Sequence, residues 1–249
     1  IKDAGHIDFE EPFTRFRAHG MIIREGAKMS KSKGNVINPD VYMEEWGADA
    51  FRMYLMFLGP YEEGGDFRDQ GISGVRRFLD RLWASVRDAS VDVVVDASVV
   101  RQLHRTIKKV GEDTATLSYN TAIAAMMEYL NHVRAGDRAV RRDEVLPLVQ
   151  LVAAYAPHFA EECWELLGHP GSVFDAGWPT FDPAMLVDNE VDLVVQVNGK
   201  VRGKLRVAVD VTQEAAMAAA LADAGIAKFV IGEITKVIFV PKRLLNIVV

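Results

Sequence analysis

Between Gly26 and Asp40 the chain reads GAKMSKSKGNVINPD, with Lys28, Lys31 and Lys33 interleaved with Ser30 and Ser32 and glycines on both sides. Lysine ammonium groups on flexible stems are point charges that can follow a phosphate as its charge changes. Glycine hinges let such a loop close over a nucleotide. The spacing is not that of the Gly-x-x-x-x-Gly-Lys phosphate cradle. Taken alone, the same residue types also suit a solvated basic loop. A localisation signal would carry a denser cationic run.

The loop needs elements to hold it. Met21 to Ile23 is a short apolar strand candidate leading in, and Asn38-Pro39 predicts a helix start with Gly47 as its stop. A second helical run, DAFRMYLMFLG, ends at Gly59-Pro60, and Gly64 and Gly65 read as a loop. After Gly74, Val75, Phe78, Leu79, Leu82, Trp83 and Val86 recur at helical spacing. Further helices are expected over about 98–117, over 121–135 with Asn120 as cap, and over 143–167, where Pro157 should kink or break the run. Residues 75–168 thus read as an antiparallel helical bundle, followed by a Gly- and Pro-rich linker. The period then changes to two, giving a hairpin around Asn198-Gly199, an alanine-rich helix, a short helix and two closing strands. The fold class is mixed and mainly α.

Composition narrows the class. Hydrophobic content of 49 % and charged content of 26 % over 249 residues are ordinary for a globular protein. No apolar run approaches the roughly 18 residues of a membrane span, and no signal peptide opens the chain. The single cysteine, Cys163, excludes an internal disulfide and a cysteine-rich zinc site, so a reducing, cytoplasmic setting is expected. The start at Ile1, in mid-pattern, suggests a piece of a larger protein. Net charge is −6, yet residues 15–33 carry +5 and residues 190–249 carry +2. A chain with an acidic bulk can still present basic faces to a nucleic acid.

KMSKS at Lys28 to Ser32, followed by Gly34-Asn35, resembles the signature of class I aminoacyl-tRNA synthetases. NPDVYMEEWGADAFRMYLMFLGP is similar to the segment after it in the leucine, isoleucine and valine members. AYAPHFAEECWELLG and VFDAGWPTFD resemble the end of their helical anticodon-binding domain. VQVNGKVRGK, Val195 to Lys204, resembles the small C-terminal domain of bacterial leucyl enzymes, with the valyl enzymes as the alternative. The resemblance implies three parts: the end of a catalytic domain at 1–72, an anticodon-binding bundle at 73–180 and a small α/β domain at 188–249. The chain departs from the family in lacking the His-Ile-Gly-His signature, the editing domain and any sizeable leucine-specific insert before Lys28.

The resemblance implies activation of leucine by ATP and transfer to the 3′ end of tRNA(Leu), with magnesium accompanying ATP and no identifiable magnesium ligand here. Lys31 and Lys28 are the implied catalytic cations, and Lys28, Met29, Ser30, Lys31 and Ser32 the implied ATP-binding set. Lys33 is expected at the periphery. Alone, the chain should lack activation activity and act as a monomer that binds tRNA weakly. A non-catalytic RNA-binding module and a structural protein with a basic loop are the competing readings.

Two further groups of cations could meet RNA. Arg101, Arg105 and Lys108 fall on one side of a helix, opposite Leu103, Ile107 and Val110. Lys200, Arg202, Lys204 and Arg206 alternate with apolar residues, which places all four on one strand face. A buried face fixes register. That predicts a three-residue loop, Val197-Asn198-Gly199, pairing 196 with 200, 194 with 202 and Asp192 with Lys204.

Overall fold

The computed structural model describes residues 1–11, 13–136, 138–187 and 190–249. They form two compact units, residues 1–182 and 183–249. The first two residues of the expected 188–249 domain lie outside the described set.

In the first unit, β1 (Met21–Arg24) turns back through Glu25-Gly26 into β2 (Ala27–Lys28), and both turn residues have positive φ (53° and 72°). α1 (Pro39–Trp46) is capped by Asn38, whose side chain accepts from the Asp40 N–H. α2 (Ala48–Phe57) follows directly after Gly47. Gly64 and Gly65, expected in a loop, belong to strand β3 (Gly64–Phe67), which runs parallel to β1. The reason is close approach: a Cβ on Gly64 would lie 2.2 Å from the Met21 carbonyl oxygen. No apolar alternation marks such a strand.

The bundle comprises α3 (Ile72–Arg87), α4 (Ala97–Ala115), α5 (Tyr119–Val133), α6 (Arg142–Ala153) and α7 (Pro157–Leu166). α3 starts before Gly74, which lies inside it. Ser118, not Asn120, occupies the N-cap position of α5. The run 143–167 is broken, with Pro157 opening α7 at its first turn, where the missing N–H costs nothing. Trp83, expected inward, is 37 % exposed at the rim. The expected linker is packed rather than free: Val173 is buried, its N–H and the Ser172 hydroxyl donate to Glu161, and the Asp182 N–H donates to His104. One continuous core runs from Phe51 and Phe67 through α3 to α7. Residues 1–72 and 73–180 therefore share their interior.

The second unit is a four-stranded sheet of order β5-β4-β7-β6. Its strands are β4 (Glu190–Val197), β5 (Lys200–Ala208), β6 (Lys236–Val240) and β7 (Leu244–Val248). Leu193, Val195, Leu245 and Ile247 meet Ala216 and Ala220 of α8 (Gln213–Ala222) and Ile226 of α9 (Ala224–Ala227). The hairpin register differs from expectation. Val197 pairs with Lys200 across a two-residue Asn198-Gly199 turn, with φ of 51° and 76°. That combination suits a tight hairpin. A bulge does occur, but inside β5: Gln196 pairs with Val201 and Val195 with Gly203, leaving Arg202 as the extra residue. The bulge restores the buried face after two residues, so a long loop is unnecessary. Asp192 consequently pairs with Arg206, not Lys204.

Candidate functional site

The lysine loop leaves β2 and is held at several points. The Asn35 side chain accepts from the Ser30 N–H (2.8 Å) and donates to the Lys28 carbonyl (3.3 Å). Residues Lys31–Lys33 make one 3-10 turn, closed by the Gly34 N–H on the Lys31 carbonyl, with Gly34 left-handed at φ 67°. The Ser30 and Ser32 hydroxyls lie 2.8 Å apart. Met29 turns its side chain to the core. Any part it plays in binding ATP would fall to its backbone.

Lys28, Lys31 and Lys33 are exposed, and none has an ion-pair partner among the described residues. Ammonium groups on and beside a stapled turn, without an ion-pair partner among the described residues, have the chemistry to attract a polyanion.

Behind the loop, Asp66 of β3 accepts from the Gly26 N–H (3.3 Å), and Asp69 faces Arg24 (3.4 Å). Tyr42 donates to Asp69 at 2.5 Å and packs on Phe51 and Phe67. Burial, then the hydrogen bond to Asp69, pushes the Tyr42 phenol up to about 12. These polar groups tie the β1–β2 turn to the core. Sequence reasoning did not single out Asp66, Asp69 or Tyr42, because their partners are distant in the chain.

Among the described residues no group of three or more His, Cys, Asp or Glu is gathered to hold a metal. No helix of the described residues is long and apolar enough to cross a membrane.

The structure separates the remaining cations. Arg101, Arg105 and Lys108 lie half-buried on α4. Lys108 faces Glu112 at 3.8 Å and lines a groove with Trp178, Pro179 and Phe181. The chain after α7 thus covers part of that face. On the hairpin, Lys204 and Arg206 pair with Val194 and Asp192, whereas Lys200 pairs with Val197 at the turn. Arg202 leaves the alternation at the bulge and lies over the Phe229 ring. The four cations therefore do not share one face. Phe229 has no charge, motif or spacing in the sequence that would have marked it.

Residues 4–67 match the class I tRNA synthetases (I, L, M and V), and residues 96–217 match the anticodon-binding domain of tRNA ligase. The leucine–tRNA ligase of Herpetosiphon aurantiacus is 46 % identical over 260 residues, covering all of this chain and 32 % of the relative. That of a Geobacter species is 43 % identical over 271 residues, again covering all of this chain and 33 % of the relative. Among solved structures, the ternary complex of Agrobacterium radiobacter LeuRS, tRNA and LeuAMS matches with a TM-score of 0.71 and 31 % identity. That match covers 99 % of this chain and 35 % of the other. The chain spans about a third of the length of the relatives it matches.

Proposed function

The chain belongs to the leucine–tRNA ligase family, and from that premise we propose that it supplies the ATP-phosphate loop and the tRNA-binding parts of such an enzyme. Residues 1–72 complete a catalytic domain, residues 73–180 form the anticodon-binding bundle, and residues 188–249 add a second contact to tRNA(Leu). The observation that carries this reading is the stapled turn at KMSKS, where Lys28 and Lys31, with Lys33 next to them, have no ion-pair partner among the described residues.

Leucine carboxylate attacks the α-phosphate of ATP, and pyrophosphate leaves with growing negative charge. Magnesium, carried with ATP, would share in neutralising that charge. Lys31, assisted by Lys28, stabilises the leaving pyrophosphate, and the Ser30 and Ser32 hydroxyls offer further donors. The hairpin cations Lys200, Lys204 and Arg206 meet RNA phosphates, which position a partner without reading sequence, and Arg202, displaced by the bulge, adds a further contact to the RNA. Arg101, Arg105 and Lys108 offer a lesser contact, since the 178–181 segment occupies part of their face.

The test uses the full-length enzyme. Lys31→Ala should lower leucine-dependent ATP–pyrophosphate exchange on the order of 10²–10³-fold, chiefly in rate, because the contact strengthens in the transition state. An unchanged exchange rate would overturn the assignment.

A further inference from the structure

Arg202 is set apart from the other hairpin cations by the packing behind it. A Cβ on Gly203 would come within 2.9 Å of the Ile226 Cγ1 atom, so glycine there lets α9 sit directly on β5. Ile226 is buried in that contact. Phe229 follows about one turn later, its N–H bonded to the Ile226 carbonyl at 3.0 Å. The ring then meets the side chain that the bulge has re-aimed. The Arg202 guanidinium carbon lies 4.0 Å from the Phe229 ring centroid, and Lys228 Nζ lies 5.1 Å from it. Arg202 and Lys228 are exposed, while Phe229 is half-buried.

A guanidinium centred 4.0 Å over a ring has lost part of its rotamer freedom before a partner arrives, which lowers the cost of binding. Its outward face can stack on a nucleobase, while a neighbouring ammonium group takes a phosphate. A surface lysine cannot offer that plane. We infer that Arg202, positioned by Phe229 and flanked by Lys228, is a stacking site for one nucleobase of the RNA partner. It is separate from the backbone contacts of Lys204 and Arg206. The inference rests on the reading of the second unit as a tRNA-binding part, and Phe229 acts in it through Arg202.

Equilibrium binding of tRNA(Leu) by the full-length enzyme, measured over a series of salt concentrations, tests the site. Phe229→Leu keeps apolar volume and removes the ring. It should weaken binding about fivefold or more, with the salt slope unchanged because no cation is lost. Phe229→Tyr restores the ring and should bind as wild type. Arg202→Lys keeps the charge without the plane and should match Phe229→Leu. If Phe229→Leu fails to fold, as judged by its thermal melt, Arg202→Lys carries the test alone. The paired Lys204→Ala/Arg206→Ala change should instead flatten the salt slope. Should that pair weaken binding while Arg202→Lys and a folded Phe229→Leu bind normally, the stacking site is overturned and the tRNA-binding reading stands. Should Arg202→Ala and the pair all bind as wild type, the reading itself fails.

Discussion

Asn35 carries out two tasks with one amide. It joins the backbone of Ser30 to that of Lys28, so the stretch from Lys28 to Ser30, just before Lys31, is held at both ends. The lysine side chains remain exposed above that fixed backbone. Cys163 is the opposite kind of residue, chemically able but physically silenced. It is fully buried in α7, and burial pushes its thiol up to about 12, with Glu162 adding to the shift. Only the thiolate reacts with disulfide reagents. At pH 8 the native chain should give no prompt reaction with a thiol-reactive dye, and one equivalent should appear in denaturant. Prompt labelling of the native chain at the rate of a free thiol would contradict the packing described for α7.

Elements were legible where a local rule governs them. Asn38-Pro39 fixes the start of α1, and Val75 to Val86 mark the buried stripe of α3, because caps and periodicity act within a few residues. β3 was missed because its stability comes from a strand some 40 residues earlier and from glycines that permit contact, not from its own apolar pattern. The hairpin register was missed for a related reason. Two ways of aligning the apolar faces differ only in where an extra residue is inserted, and the sequence alone does not choose between a long loop and a bulge at Arg202. The same limit hid the ion pair that organises the start of α6. Glu144 is 2 % exposed and receives Arg138 at 2.7 and 3.0 Å, while its second oxygen also accepts from the Arg141 N–H. Tyr129 donates to its carbonyl. Removing one member of a buried pair leaves the other uncompensated. Glu144→Ala should therefore cost about 3–5 kcal/mol of stability in urea unfolding. A loss below about 1 kcal/mol would show that Arg138 finds solvent easily and that the pair organises nothing.

Across the whole molecule, the titratable groups most altered by folding are segregated. All six tyrosines, all four tryptophans and the single cysteine lie before residue 183, so none belongs to the second unit. In the first unit, Tyr129, Tyr155 and Cys163 are buried in one core. Burial raises Cys163 and Tyr155 to about 12, and raises Tyr129 further still. The folded unit thus keeps protons that the unfolded chain releases from about pH 9 for the thiol and about pH 10 for the phenols. Where the unfolded state binds fewer protons, stability falls as pH rises. The stability conferred by these groups is fully present below pH 9 and is lost progressively up to about pH 12, at up to about 1.4 kcal/mol per pH unit for each. The second unit holds no such group, so its stability should change far less. Urea unfolding at pH 8, 10 and 11 can separate the two. Tryptophan fluorescence reports only the first unit, while far-ultraviolet circular dichroism reports both. The fluorescence midpoint should move to lower urea as pH rises, and the circular dichroism curve should split into two steps. A fluorescence midpoint constant from pH 8 to 11 would mean that these three side chains reach solvent in the native state, against the closed core on which the lysine loop is mounted.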